Sequence, residues 1–213
     1  SQVENPTIEE NEGMGIVLSG AGLYGTLPGA QDGETGLVDS VRPTITGGTV
    51  SNNGGIGIYA DHGAAKLKDM TVDQNSAIGL FSHGGVVTLR EMEVSDTQTR
   101  EVESREGPSV EISDGIVLMG SEQLPEHLVN RAVDLQSNTV TGSDRVGMLV
   151  VRDQFRLGGV IEMGPGMLMD NKRDIAVIGA KGDLQVPSQY TDAVGKTSPR
   201  DVPPPAAPAP PSP

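Results

Sequence analysis

The sequence predicts an all-β solenoid of about six stacked coils, and three observations carry that prediction. The first is an internal repeat. Asn53-Gly54-Gly55-Ile56-Gly57-Ile58-Tyr59 returns 22 residues later as Asn75-Ser76-Ala77-Ile78-Gly79-Leu80-Phe81, and Lys66-Leu67-Lys68-Asp69-Met70-Thr71-Val72 returns as Thr88-Leu89-Arg90-Glu91-Met92-Glu93-Val94. A fixed period in this range marks stacked structural units. The second is alternation. Short apolar-polar segments are separated by Gly, Asn, Asp and Ser, a pattern of strands and turns, and no stretch reads as a long amphipathic helix. The third is composition. The chain of 213 residues holds 29 glycines and only 2% aromatic residues, which suits a narrow core filled by Val, Ile, Leu and Met.

The coils can be placed one by one from the glycine of the Ile-Gly-Ile segment. Its equivalents are Gly15, Gly57, Gly79, Gly115, Gly147 and Ala176. Seven residues before lie Ile8, Val50, Val72 and Val140, and twelve before lie Val3, Ile45, Leu67 and Leu135, with Leu89 in the same place before the coil interrupted at 97–108. Insertions interrupt the coils near 21–41, 97–108 and 120–131. Alternation assigns two columns to the core: Met14, Ile56, Ile78, Val146 and Ile175, then Ile16, Ile58, Leu80, Ile116, Met148 and Val177. The same alternation turns Val17, Tyr59, Phe81, Val117, Leu149 and Ile178 outward, beside the glycine column. Water contact along such a row is unfavourable, so it should be covered, by the insertions 21–41 and 120–131 or by another chain. Neighbouring coils lie about 4.8 Å apart, and six of them make a rod roughly 29 Å long. The solenoid spans residues 1–190. The tail, residues 191–213, is rich in proline and reads as extended or disordered, a linker or stalk. Terminal coils need caps; none precedes Val3, which reads as a fragment or a processed form.

Asn11, Asn53 and Asn75 sit four residues before their glycines, with Ser143 and Asn171 as weaker matches. They predict a structural ladder, because an asparagine can bond backbone groups at a sharp turn and tolerates the left-handed conformation there. An Asn-x-x-x-Gly-Ile segment followed by a Leu and a Val at fixed spacing resembles the right-handed parallel β-helix repeat. That repeat occurs in the pectate-lyase-like superfamily, in bacterial surface proteins and in phage tailspikes. The resemblance covers roughly residues 3–186. It implies the right-handed β-helix fold strongly and any one activity weakly. Polygalacturonase-type members carry Asn-Thr-Asp, Asp-Asp and Arg-Ile-Lys strings, and none of these occurs here. The lyases use clustered Asp ligands and a basic residue on the outer face of one sheet. The matching face here offers Asp61, His83 and Arg152 and no acidic cluster.

Charge narrows the partners. The net charge is −14, which argues against nucleic acid, whose recognition needs a basic footprint. No apolar run reaches the roughly 18 residues a membrane-spanning helix requires, and no signal peptide is present in these residues. Cysteine is absent, in keeping with a secreted or cell-surface bacterial protein. Gly20-Ala21-Gly22-Leu23-Tyr24-Gly25 matches a dinucleotide fingerprint, but Thr26-Leu27-Pro28-Gly29 cannot open the helix that a phosphate site needs. Among His62, His83 and His127, only His83 has a candidate partner, Asp61 on the neighbouring coil. A carboxylate beside an imidazole can act as a general base or a ligand site, although a simple surface pair is the commoner outcome. Glu9, Glu10, Asp73 and Asp96 lie in turn columns. They could present oxygens to Ca²⁺, but scattered solvated carboxylates are the plainer reading, and no cofactor is expected.

The functional expectation is a non-catalytic extracellular module, a scaffold or a binding and adhesion surface, with Tyr59, Asp61, Phe81 and His83 as the candidate binding residues. A protein partner or self-association would use the apolar outer row, and a polysaccharide would stack on Tyr59 and Phe81. The alternative is a carbohydrate-active enzyme, a lyase or hydrolase, for which no catalytic residue is assigned.

Overall fold

The structure is a computed structural model that describes residues 2–19, 43–61, 64–84, 86–102, 108–120, 133–151, 161–178 and 184–185. Among these residues the protein is all-β, with parallel strands in three stacked sheets, the arrangement of a parallel β-solenoid. The first sheet stacks β1 (Gln2–Glu4), β4 (Thr44–Thr46), β7 (Ala64–Lys68), β10 (Val86–Arg90), β14 (Val133–Gln136), β17 (Ile161–Met163) and β20 (Leu184–Gln185). The second stacks β2 (Thr7–Glu9), β5 (Thr49–Ser51), β8 (Thr71–Asp73), β11 (Glu93–Ser95), β15 (Thr139–Thr141) and β18 (Met167–Met169). The third stacks β3 (Ile16–Ser19), β6 (Ile58–Asp61), β9 (Ala77–His83), β13 (Val110–Met119), β16 (Val146–Val151) and β19 (Ile175–Ile178). One antiparallel strand, β12 (Arg100–Val102), pairs with the start of β13. It forms from residues that the repeat leaves over as part of an insertion.

Each sheet contributes an unbroken column to the core. Ile45, Leu67, Leu89 and Leu135 align in the first sheet. Val50, Val72, Val94 and Val140 align in the second. Ile58, Leu80, Ile116, Met148 and Ile175 align in the third. All are buried in one cluster. A column works because β-branched and leucine side chains stack at strand spacing, and each buried one contributes about 1.5–3 kcal/mol.

The corners between sheets require left-handed backbone. At the first corner Asn5, Gly47, Asp69, Glu91 and Ser137 have φ of 46, 69, 56, 55 and 56°. At the second, Glu10, Asn52, Gln74, Asp96, Gly142 and Asp170 have φ between 47 and 68°. The left-handed residue is therefore the one before each ladder asparagine, which corrects the expectation that Asn11, Asn53 and Asn75 adopt that conformation themselves. Short polar side chains and glycine carry such φ values at least cost.

The third corner corrects the alternation argument. Ile78 and Leu80 would share a face in a straight strand. Instead Leu80 faces the core, while Ile78 packs with Ile56, Val146, Tyr59 and Phe81 in a second cluster outside the third sheet, with Met14 against it. The chain bends at Gly79, and the register with β13 runs Ile78 to Asp114 and then Leu80 to Ile116, a glycine intervening on each strand. A Cβ on Gly79 would stand 2.6 Å from Val94 Cγ1 and 2.8 Å from the Gly115 carbonyl oxygen. The glycine column thus points inward, where no side chain fits, and not outward as alternation suggested.

In the last coil, Ala176 pairs with Leu149 and Ile178 with Val151. The position equivalent to Gly147 is therefore Asp174, two residues before the expected Ala176. Ile175, not Val177, continues the column of Ile58 and Leu80, and Ala176, not Ile178, closes the outer row. The shift follows from a shorter corner, which spacing from the glycine alone could not show.

Candidate functional site

The outer face of the third sheet is where the expected binding residues meet. Tyr59 pairs with Phe81 and Asp61 with His83 on adjacent strands. The Tyr59 and Phe81 rings are tilted, with centroids 5.4 Å apart, and the His83 ring lies 6.1 Å beyond Phe81. His83 Nδ1 and Asp61 Oδ1 are 3.0 Å apart, and the Tyr59 hydroxyl bonds the same carboxylate. Burial, then the charge and hydrogen bond of Asp61, push the Tyr59 phenol far above its ordinary value. Both rings are buried, and Asp61 and His83 are half-buried at the rim.

The outer row is covered along its middle and not at its first member: Val17 is 44% exposed. Tyr59, Phe81, Val117 and Leu149 are buried in the second cluster, and Val102 and Val110 from the β12–β13 hairpin pack on it. The expected covering insertion at 21–41, and that at 120–131 apart from Gly120, lie outside the described residues. So do the glycine motif at 20–25, His62, His127, Arg152 and the proline-rich tail. The acids of the turn columns stay apart: Glu9 and Asp73 are bonded by Ser51 and Ser95 hydroxyls at 3.4 and 2.7 Å. Among the described residues no three His, Cys, Asp or Glu side chains gather as metal ligands would.

The asparagines form a directed chain. Asn11 N and Nδ2 donate to Asn53 Oδ1 at 3.1 and 2.8 Å, and Asn53 N and Nδ2 donate to Asn75 Oδ1 at 3.2 and 2.7 Å. Asn75 Nδ2 then donates to the carbonyls of Val50 and Asp73. The column continues through Thr97 and Ser143, whose buried hydroxyls have no partner among the described residues, and ends on Asn171, whose Oδ1 accepts the Ser143 N–H at 3.0 Å. Asn138 plays the same role at the first corner, accepting from Met92 N and donating to the Leu89 carbonyl.

One constellation escaped the sequence reading. Asp114 replaces the apolar residue between Ile78 and Val146 in the outer cluster and is fully buried. Arg145 grips it with two hydrogen bonds, Nε to Oδ1 at 2.8 Å and Nη2 to Oδ2. Burial pushes the Asp114 carboxyl above its ordinary value, while Arg145 and the Val146 N–H pull it back. Beside it Ser113 Oγ donates to the Thr97 carbonyl and accepts from Asp144 N. The visible signal was a carboxylate in an otherwise apolar column, with an arginine just before the residue that aligns with it.

No family model matches the chain, and neither a curated protein nor a solved structure is similar enough to it to match. The site must be read from its own geometry.

Proposed function

We propose that the protein is a right-handed parallel β-helix of about six coils, exported by a bacterium, that serves as a non-catalytic scaffold or binding and adhesion module. The observation that carries this reading is the outer face of the third sheet. Residues that would line a catalytic groove there, Tyr59, Phe81, Val117 and Leu149, are instead buried as a packing layer. Hydrolysis or elimination on a sugar needs converged acids or a metal in a polar groove. Here the Asp61 carboxylate is already engaged by His83 and Tyr59. A protein or polysaccharide partner would meet the rim formed by Asp61 and His83, with the buried rings beneath holding its shape.

The Asp61–His83 pair also favours a second reading, a carbohydrate-active enzyme, since a carboxylate that fixes Nδ1 prepares an imidazole for proton transfer. Pectin, polygalacturonate and alginate separate the two, each with and without Ca²⁺. The proposed module releases no reducing or unsaturated sugar. Release that disappears in Asp61→Ala or His83→Ala would establish the enzyme instead.

A further inference from the structure

The asparagine column changes in its middle. Asn53, Asn75 and Asn171 each accept, with Oδ1, the backbone N–H of the column member one coil before. Asn75 and Asn171 also give Nδ2 to a carbonyl of that earlier coil, Val50 and Val140. A carboxamide thus clasps one N–H and one C=O at the turn. Thr97 and Ser143 take the two places between Asn75 and Asn171, and neither carries a carboxamide. The register sets Thr97 opposite the Asn75 N–H and the Val72 carbonyl, and Ser143 opposite the Thr97 N–H and the Val94 carbonyl. Both hydroxyls lie where the carboxamide would. A Cβ on Gly79 would stand 3.3 Å from Thr97 Oγ1 and one on Gly115 3.0 Å from Ser143 Oγ, as one on Gly57 would stand 2.8 Å from Asn75 Nδ2. Thr97 and Ser143 are 2% and 1% exposed, and their hydroxyls meet no partner among the described residues.

We propose that each of these hydroxyls binds one buried water, which stands in for the carboxamide and completes the column. The water accepts the N–H, donates to the valine carbonyl and shares a hydrogen bond with the hydroxyl, which can either give or take. An N–H, a C=O and a hydroxyl fall within the roughly two to four polar partners that a buried water uses. All of them are uncharged, so the sites suit water and not a cation, which needs several oxygens around it. The backbone accommodates the second site. Gly54, Ser76, Gln98 and Lys172 each donate an N–H directly to the carbonyl of the column member one coil before. At Asp144 the Ser113 hydroxyl is inserted instead, accepting from Asp144 N at 2.9 Å and donating to the Thr97 carbonyl at 2.6 Å. The step from Thr97 to Ser143 is therefore bridged by a side chain rather than closed by a backbone bond.

The test uses the isotope-labelled full chain. Water-selective nuclear Overhauser spectra should show long-lived water at the amides of Asn75 and Thr97 and not at Asn53, whose N–H is bonded to the Asn75 carboxamide. The ¹⁷O relaxation of water, which is blind to hydroxyl protons, counts the long-lived waters. Thr97→Asn with Ser143→Asn should lower that count by two and abolish both cross-peaks. Its urea midpoint should stand at or above the parent's, because a carboxamide then completes each clasp. Absence of both cross-peaks in the parent, or an unchanged count in the folded double variant, would overturn the proposal. A double variant that does not fold would also count against it, since the two places would then not admit a carboxamide.

Discussion

At Asn75 one side chain accepts two hydrogen bonds from Asn53 and donates to two carbonyls, all within the buried stack. Removing it leaves those groups unpaired, and Asn75→Ala should cost about 2–4 kcal/mol in urea unfolding. One coil further along the logic reverses: the Thr97 hydroxyl is buried without a partner among the described residues. Thr97→Val keeps the shape and removes only that hydroxyl, so it should fall within about 1 kcal/mol of the parent or stabilise it. Tyr59 gives the residue-scale dependence on pH. Its folded value lies above the ordinary 10.0, so the stability it contributes is complete below pH 10 and is lost as pH rises past the unfolded value. Tyr59→Phe should flatten the alkaline limb of the stability curve between about pH 9 and 12. An unchanged limb would mean that the phenol ionises as freely folded as unfolded. The asparagine columns were legible because polar residues recur there at fixed spacing. The Asp114–Arg145 pair was not, because it occurs once, and a single substitution in a column carries no period.

Elements behave as the repeat implies wherever a strand is straight and depart from it where the chain bends. Leucine and valine columns in the first two sheets followed directly from spacing. In the third sheet the alternation is reset by the inward glycine, which places Ile56 and Ile78 outside and the glycines inside. A period-two rule assumes continuous pleating, and a corner in mid-strand breaks that assumption. The closeness of Gly79 to Val94 and Gly115 makes this testable. Gly79→Ala should destabilise by about 1–3 kcal/mol or more, since neither a core valine nor a backbone carbonyl can retreat far. An outward-facing glycine, by contrast, would tolerate alanine with little change in midpoint. The last coil shows the same sensitivity: a corner of different length moved Ala176 and Ile178 by two residues against the glycine count.

The whole molecule is a stack in which each coil buries its neighbour's apolar face, so no single coil is stable alone and the register between coils is the fold. That register was the most legible property of the sequence, because a 22-residue period leaves little freedom in how strands align. The cover of the outer face was the least legible, because the β12–β13 hairpin whose Val102 and Val110 pack on it lies outside the repeat. The most direct test of the stack uses the absence of native cysteine. Thr71 and Glu93 are direct partners on β8 and β11, with Cα atoms about 4.8 Å apart, well within disulfide reach, whereas Asp73 and Glu93 are offset by two residues along the strands. Under mild oxidation the Thr71→Cys, Glu93→Cys protein should close its disulfide rapidly, and the Asp73→Cys, Glu93→Cys protein should remain largely reduced. Equal closure of both pairs, or preference for the offset pair, would contradict the stacked register on which the fold rests.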